Sequence, residues 1–166
     1  MPLINGEISY VRLSEISYDE IIRHMSDPRI AAHLPLLTDG WDHSSAAKFV
    51  TAKEACWDRD GLGHWAILCD GVYAGWGGFQ KEGEEWDFGL VLTPRHFGLG
   101  ARIVKQAIHF AATNDRIPYV TFLLPTSRKR LRGLARLGAE FVSEVDYHGV
   151  RFLKYRLDTS FADTRD

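Results

Sequence analysis

The pattern of apolar and polar residues changes its period near the centre of the chain. In the segment 87–92, apolar residues occupy every second position, which is typical of a half-buried strand. Pro94 ends this strand, because proline cannot donate a hydrogen bond to a sheet. After Gly98 and Gly100 the apolar positions repeat with the period of a helix, and those on one face are Ile103, Val104, Ala107, Ile108 and Ala111. The pattern predicts a strand, a glycine-bearing turn and an amphipathic helix.

The other apolar segments predict further strands and helices on both sides of this centre. Asp70-Gly71 is a strong hairpin signal between two of the strands. The predicted elements are a strand at 8–13, a helix capped by Ser17, a helix capped by Ser44 or Ser45, strands at 64–69 and 72–79, the central strand and helix, a strand at 119–124, a helix capped by Ser127, and strands at 140–147 and 150–158. The order favours a mixed α/β domain.

The turn between the central strand and the central helix is a candidate anion site. Gly98 and Gly100 leave the backbone N–H groups unhindered at the start of a helix, where phosphate groups commonly bind. A plain turn that binds nothing is the alternative. A dinucleotide site of the Rossmann type fits less well, because its third glycine would have to stand where Ile103 is found.

The sequence Arg95-His96-Phe97-Gly98-Leu99-Gly100 resembles the Arg/Gln-x-x-Gly-x-Gly/Ala signature of the GNAT superfamily of N-acetyltransferases, and the order of elements is similar over nearly the whole chain. Ser26-Asp27-Pro28 and Leu34-Pro35 resemble the ribosomal-protein N-acetyltransferase branch, the RimJ/RimL type. The resemblance implies an α/β (α+β) GNAT fold, in which a mixed, mostly antiparallel sheet of six to seven strands has flanking helices and a splay between its two central strands. It also implies one domain over residues 1–158, followed by a polar tail over 159–166.

The same resemblance implies that acetyl-CoA is the cosubstrate. The family binds its pyrophosphate at the loop, which here comprises Arg95, His96, Phe97, Gly98, Leu99, Gly100 and Ala101. The pantetheine arm would pair with backbone groups of Leu90, Val91 and Leu92, where one N–H could polarise the thioester oxygen. Arg128, in a basic run, could contact the 3′-phosphate, although a solvated helix face explains that run equally well.

Acetyl transfer to an amine needs a base, because an amine with a pKa near 10 is protonated at neutral pH. Asp87 is the first candidate and Glu85, which projects to the same face of the strand, is the second. Ser127 stands where many family members carry an asparagine, and it could bond the leaving sulfur or simply cap a helix. Leu134 stands where many members carry a tyrosine acid, so a tyrosine-acid mechanism is not expected.

The resemblance also places Leu34 and Trp41 in a wall of the acceptor cleft. The acceptor itself is left open: a protein N-terminus, an amino acid or another small amine. A non-catalytic acyl-CoA-binding module on the same fold is one alternative function, and a toxin-like member that acetylates aminoacyl-tRNA is another.

Composition narrows these alternatives. The chain has 166 residues, of which 45% are hydrophobic and 25% charged, and its formal net charge is −2, which offers no general attraction to nucleic acid. Two cysteines, no apolar run of membrane-spanning length and no signal peptide favour a cytoplasmic protein without a membrane partner. Its seven histidines show no metal-binding spacing, so no metal is expected. A homodimer is possible.

Overall fold

The alternating segments form one sheet of seven strands in the computed structural model, which describes residues 6–32, 34, 40–126 and 132–159. The strands are β1 (Ile8–Arg12), β2 (His64–Cys69), β3 (Val72–Glu82), β4 (Glu85–Leu92), β5 (Tyr119–Pro125), β6 (Glu140–Tyr147) and β7 (Val150–Asp158). Their spatial order is β1-β2-β3-β4-β5-β7-β6, and neighbours are antiparallel except for β4 and β5. The predicted mixed, mostly antiparallel sheet is confirmed.

Five α-helices flank the sheet in the part of the chain that the structure describes. They are α1 (Tyr18–Met25), α2 (Pro28–Ala31), α3 (His43–Asp60), α4 (Gly100–Ala112) and α5 (Arg132–Leu137), and short 3-10 helices cover Leu13–Glu15 and Pro94–Leu99. The hydroxyl of Ser17 accepts the N–H of Glu20, as predicted. The prediction that Ser44 or Ser45 caps α3 is wrong. Asp42 is the cap, because its carboxylate accepts the N–H of Ser45 at 2.8 Å and so starts the helix earlier.

Turn residues set the strand pairing at two hairpins. Asp70 and Gly71 both have positive φ, 51° and 80°, which matches the right-handed twist of the strands they join. His148 and Gly149 do the same between β6 and β7, with φ of 52° and 81°. Both hairpins agree with the sequence prediction.

The two faces of the sheet carry separate apolar cores. One core packs against α4 and contains Phe79, Phe88, Leu92, Leu99 and Ile103. The other packs against α1 to α3 and contains Ile21, Met25, Val50, Ala66 and Trp76. Because side chains alternate along β4, Phe88 belongs to the α4 side, whereas Asp87 is directed to the opposite face, which we call the α3 face.

The two central strands separate soon after they meet. β4 and β5 pair only at Trp86 with Val120 and at Asp87 with Thr121. β5 then continues beside β7 as far as Pro125, while β4 continues beside β3 to Leu92. The predicted splay is present, and its apex lies at Asp87.

The C-terminal end of the described chain is packed against the sheet. The buried hydroxyl of Thr159 donates hydrogen bonds to the carbonyl groups of Ile117, at 2.8 Å, and Pro118, at 3.0 Å. The rest of the predicted tail, 160–166, lies outside the described residues. Among the helices of the described chain, none is both long and apolar enough to cross a membrane.

Candidate active site at the splay

Backbone groups of β4 face the gap between the two central strands. The N–H of Thr93, just after β4, donates to the carbonyl of Ala74 on β3 at 2.8 Å, so these two opposite residues form a hydrogen-bonded pair. Hydrogen-bonded and non-bonded pairs alternate in an antiparallel ladder. The backbone of Val91 therefore also bonds to β3, whereas the backbone N–H and C=O groups of Leu90 and Leu92 point away from β3. Since β5 has separated at this level, an extended ligand with amide groups could pair with Leu90 and Leu92 as an added strand.

The segment after β4 leads through the 3-10 helix into the start of α4. Leu99 stands at the N-cap of α4 and offers no side-chain oxygen to the first turn of the helix, while the N–H of Gly100 donates to the carbonyl of Phe97. The first turn of α4 contains no acidic residue, and Arg95 is exposed just before it. The partial positive charge of a helix start therefore remains available to an anion.

The predicted cofactor-loop residues divide into two groups. Arg95, Phe97, Gly98 and Ala101 are exposed. The side chains of His96 and Leu99 are buried, and the Nδ1 of His96 lies 2.6 Å from the hydroxyl of Thr93. From these two residues, only backbone groups are in position to meet a ligand.

Neither Gly98 nor Gly100 has a positive φ. The φ of Gly100 is −54°, and a Cβ added there would have only one atom within 4 Å, the Cδ1 of Leu92 at 3.9 Å. The described chain therefore does not itself require glycine at position 100. What glycine provides there is unobstructed access to the backbone from outside.

Asp87 lies at the apex of the splay, at the last paired position of β4 and β5. The hydroxyl of Thr121 donates to its carboxylate at 2.9 Å. Removal from water raises the pKa of Asp87 to about 7, although the hydrogen bond from Thr121 opposes this shift. A carboxylate with a pKa near the working pH is suited to accept a proton from a substrate.

Glu85 lies on the same face of β4 but has a different environment. Its carboxylate accepts hydrogen bonds from the ammonium group of Lys154 and from the hydroxyl of Tyr119, the latter at 3.0 Å. The bond from Lys154 lowers the pKa of Glu85, so the group stays ionised and engaged. Glu84 is exposed in the turn before β4. The neighbouring acids Glu84, Glu85 and Asp87 therefore have different chemical environments and can serve different roles.

A polar chain crosses the α3 face beside Asp87, and sequence reasoning missed it. The ammonium group of Lys53 on α3 donates to the side chain of Gln80 at 3.1 Å, and Gln80 donates to Glu82 at 3.0 Å. The hydroxyl of Tyr147, on the β6–β7 hairpin, donates to the same carboxylate oxygen of Glu82 at 3.0 Å. Burial lowers the pKa of Lys53 to about 8. The chain joins α3 to the hairpin, so these two elements face each other across this region of the sheet.

His64 is a second group that sequence reasoning missed. His64 lies on β2 and is only 6% exposed, and the centroid of its ring lies 5.4 Å from that of Trp76. Nothing near His64 in the sequence suggests a function. Only the sheet brings it beside β4.

The predicted acceptor-wall residues lie on the same side of the sheet as Asp87. The ring of Trp41 packs edge-to-face on Phe49, with centroids 5.4 Å apart, and Phe49 packs on Trp76 in the same way at 5.1 Å. Leu34 is partly buried against the same core. Contact of Leu34 and Trp41 with an acceptor stays a prediction.

Two predicted site residues, Ser127 and Arg128, lie outside the described residues. Leu134, at the position of the family's tyrosine acid, packs against the α4-side core. Within the described ranges, no group of three or more histidine, cysteine or acidic side chains is placed to hold a metal ion.

Comparison with known proteins identifies the fold. No protein-family model and no curated protein matches this sequence. Solved structures do match it: an acetyltransferase of the GNAT family from Bacillus anthracis shares 12% identity with a TM-score of 0.71, over 94% of this chain and 98% of its own. At these identities the similarity defines the architecture, and the chain has the fold of GNAT-family acetyltransferases.

Two other matches carry more specific descriptions. An acetyltransferase from Salmonella typhimurium that modifies the N-terminal serine of ribosomal protein L7/L12 is 15% identical, with a TM-score of 0.70, over 95% of this chain and 97% of its own. The N-acetyltransferase PseH from Campylobacter jejuni, solved with acetyl coenzyme A, is 17% identical, with a TM-score of 0.67, over 93% of this chain and its full length. The assignment to the RimJ/RimL branch stays a prediction.

Proposed function

We propose that this chain is an acetyl-CoA-dependent N-acetyltransferase that transfers an acetyl group to a primary amine of a small molecule or a peptide. The observation that carries the proposal is the position of Asp87. Its carboxylate, with a pKa raised to about 7, stands at the apex of the splay, next to the unpaired backbone of β4. A non-catalytic acyl-CoA-binding module would have no use for a base at that point.

The residues present fit acetyl-CoA. The N–H groups in the first turn of α4 after Gly100 and the exposed guanidinium of Arg95 suit the pyrophosphate. The backbone groups of Leu90 and Leu92 suit the amides of the pantetheine arm. Acetyl-CoA would supply an acetyl group activated as a thioester.

The chain's own groups would then carry out two tasks. Asp87 accepts a proton from the ammonium group of the acceptor, which leaves a neutral amine able to attack. The N–H of Leu90, which points into the gap, donates a hydrogen bond to the carbonyl oxygen as negative charge develops there. Ser127 remains the candidate for a contact to the departing sulfur.

The acceptor would enter on the α3 face, where α3 and the β6–β7 hairpin stand on either side of Asp87. We further propose a cytoplasmic location, in which Cys56 and Cys69 stay reduced and form no disulfide. A homodimer is a reasonable assembly, because β6 ends the sheet and exposes Phe141 and Val142, at 56% and 50%.

Two measurements on the wild-type protein test the proposal. Acetyl-CoA at 100 times its dissociation constant should add about 2.7 kcal/mol to the free energy of unfolding, which thermal unfolding would detect. A panel of amines and N-terminal peptides should include one that accelerates release of the CoA thiol. Binding without thiol release for any amine would favour the non-catalytic module, and no thermal shift would exclude the cosubstrate.

A further inference from the structure

His64 carries two polar atoms whose burial is otherwise unexplained. Neither ring nitrogen has a hydrogen-bond partner among the described residues, and both are shielded from solvent. A buried polar atom left without a partner typically costs folding free energy, so such atoms usually serve a ligand, a water or a reaction.

The open side of the imidazole is directed to β4. A Cβ built on Gly89 would lie 3.6 Å from Cε1 and 3.7 Å from Nε2 of His64, and no other atom of the described residues, its chain neighbours aside, would lie within 4 Å of it. The absence of a side chain at position 89 therefore leaves a space of about one methyl group, bounded by the imidazole edge. A ligand atom in this space would need to approach by only a few tenths of an ångström to form a hydrogen bond.

This space lies beside the proposed base. Asp87 and Gly89 are two residues apart on β4, so their side-chain positions share the α3 face, roughly 7 Å from each other. An amine nitrogen held above the strand between these positions could contact the carboxylate and the imidazole together. An ammonium group has three N–H donors, which is enough for both contacts.

The surroundings keep the imidazole neutral. Burial, reinforced by the positive charge of Lys53 on α3, holds the pKa of His64 well below its usual range. On the other sides the ring meets Trp76 of β3 and Gly89 of β4, neither of which carries a charge. A neutral imidazole retains one nitrogen that can accept a hydrogen bond from an N–H donor.

We propose that His64 directly contacts the acceptor amine, accepting one of its N–H hydrogen bonds while Asp87 takes its proton. This inference rests on the proposed acetyl transfer. It assigns to β2 a substrate contact that complements the base on β4, and it explains why position 89 is a glycine although a methyl group would fit there without a clash.

Two coenzyme A derivatives test this contact without knowledge of the natural acceptor. S-(2-aminoethyl)-CoA places an ammonium group about where the attacking amine would stand, and S-ethyl-CoA is its matched neutral control. Affinities for both are measured by calorimetry with the wild-type protein, with His64→Phe and with Gly89→Ala. His64→Phe removes the ring nitrogen that would accept the hydrogen bond, and Gly89→Ala fills the space in front of that nitrogen.

The wild-type protein is expected to bind the aminoethyl compound more tightly than the ethyl compound. Both variants should lose at least about tenfold of this preference, which corresponds to one hydrogen bond to a charged group, and keep their affinity for S-ethyl-CoA. An unchanged preference in His64→Phe would overturn the inference, as would a wild-type protein that binds both compounds equally. Failure of the wild-type protein to bind either compound would instead overturn the acetyl-CoA assignment beneath it.

Should a variant not fold, as judged by circular dichroism, the wild-type protein labelled with ¹⁵N-histidine decides the question. The ring nitrogens of His64 should shift on addition of S-(2-aminoethyl)-CoA and not on addition of S-ethyl-CoA. Identical spectra with the two compounds would show that no amine reaches the ring.

Discussion

Replacement of Asp87 by asparagine should change activity and stability in opposite directions. Asparagine keeps the size of the side chain and an oxygen that can accept the hydrogen bond from Thr121, but it cannot take a proton from an amine. Since a positioned base typically contributes 10²–10⁴-fold, Asp87→Asn should lower kcat/KM by about that factor. Affinity for acetyl-CoA should change little, because the groups proposed to bind it lie on other residues.

The stability gain follows from the burial of the carboxyl group. In the folded protein Asp87 keeps its proton up to a pH of about 7, whereas in the unfolded chain it loses it near pH 4. Between these values the folded state binds more protons, so the contribution of Asp87 to stability falls as the pH rises. The full pKa difference corresponds to about 4 kcal/mol. Because the side chain keeps some contact with solvent, we expect Asp87→Asn to gain about 2 to 4 kcal/mol at pH 8.

Denaturant unfolding at pH 4 and pH 8 measures this gain, and a pH profile of kcat/KM measures the base. The wild-type rate should rise about tenfold per pH unit below the pKa of Asp87 and level off above pH 7. The variant should lack this step, and its stability advantage should disappear at pH 4.

Two outcomes would refute this reasoning. A variant with a near-normal rate would show that water or an acceptor-side group removes the proton. A variant that is less stable than the wild-type protein at pH 8 would show that Asp87 is ionised and well compensated in the free protein.

Two further substitutions separate the other roles. Gly100→Ala should leave stability unchanged or raise it by roughly 0.5–1 kcal/mol, since its Cβ meets no atom of the described residues, its chain neighbours aside, closer than 3.9 Å. It should weaken CoA binding, as measured by calorimetry, and unchanged affinity would show that no ligand approaches this backbone. Glu85→Gln should keep a near-normal kcat/KM, because Lys154 holds the carboxylate away from the reaction, and should lower the free energy of unfolding by about 1 kcal/mol or less, because the ion pair is partly exposed. A loss of kcat/KM as large as that of Asp87→Asn would make Glu85 the base.

Some features of the fold follow from the order of residues alone. Alternating apolar residues predicted the central strand, and Asp70-Gly71 predicted the hairpin between β2 and β3, because strand period and positive φ are properties of a few neighbouring residues. The start of α3 was misplaced by two or three residues, since Asp42 and the serines after it can all serve as caps.

The position of a base on β4 was also predictable, but the choice among the acids was settled only by folding. Asp87 and Glu85 are both carboxylates on one face of one strand. Asp87 is mostly withdrawn from water beside Thr121 at the apex of the splay, whereas Glu85 meets Lys154 and Tyr119, and these partners come from distant parts of the chain. Their pKa values therefore move in opposite directions.

The sequence by itself determined the strand and helix periods, the turns, the glycine-bearing loop and the presence of acids near the central strand. Only the tertiary structure decided where β4 and β5 separate, which carboxylate loses most of its contact with water, and that His64 reaches Gly89 across the sheet. The physical reason is that these properties depend on residues at different separations along the chain. Backbone conformation depends on adjacent residues, whereas desolvation and hydrogen bonding depend on whichever groups the fold brings within a few ångströms.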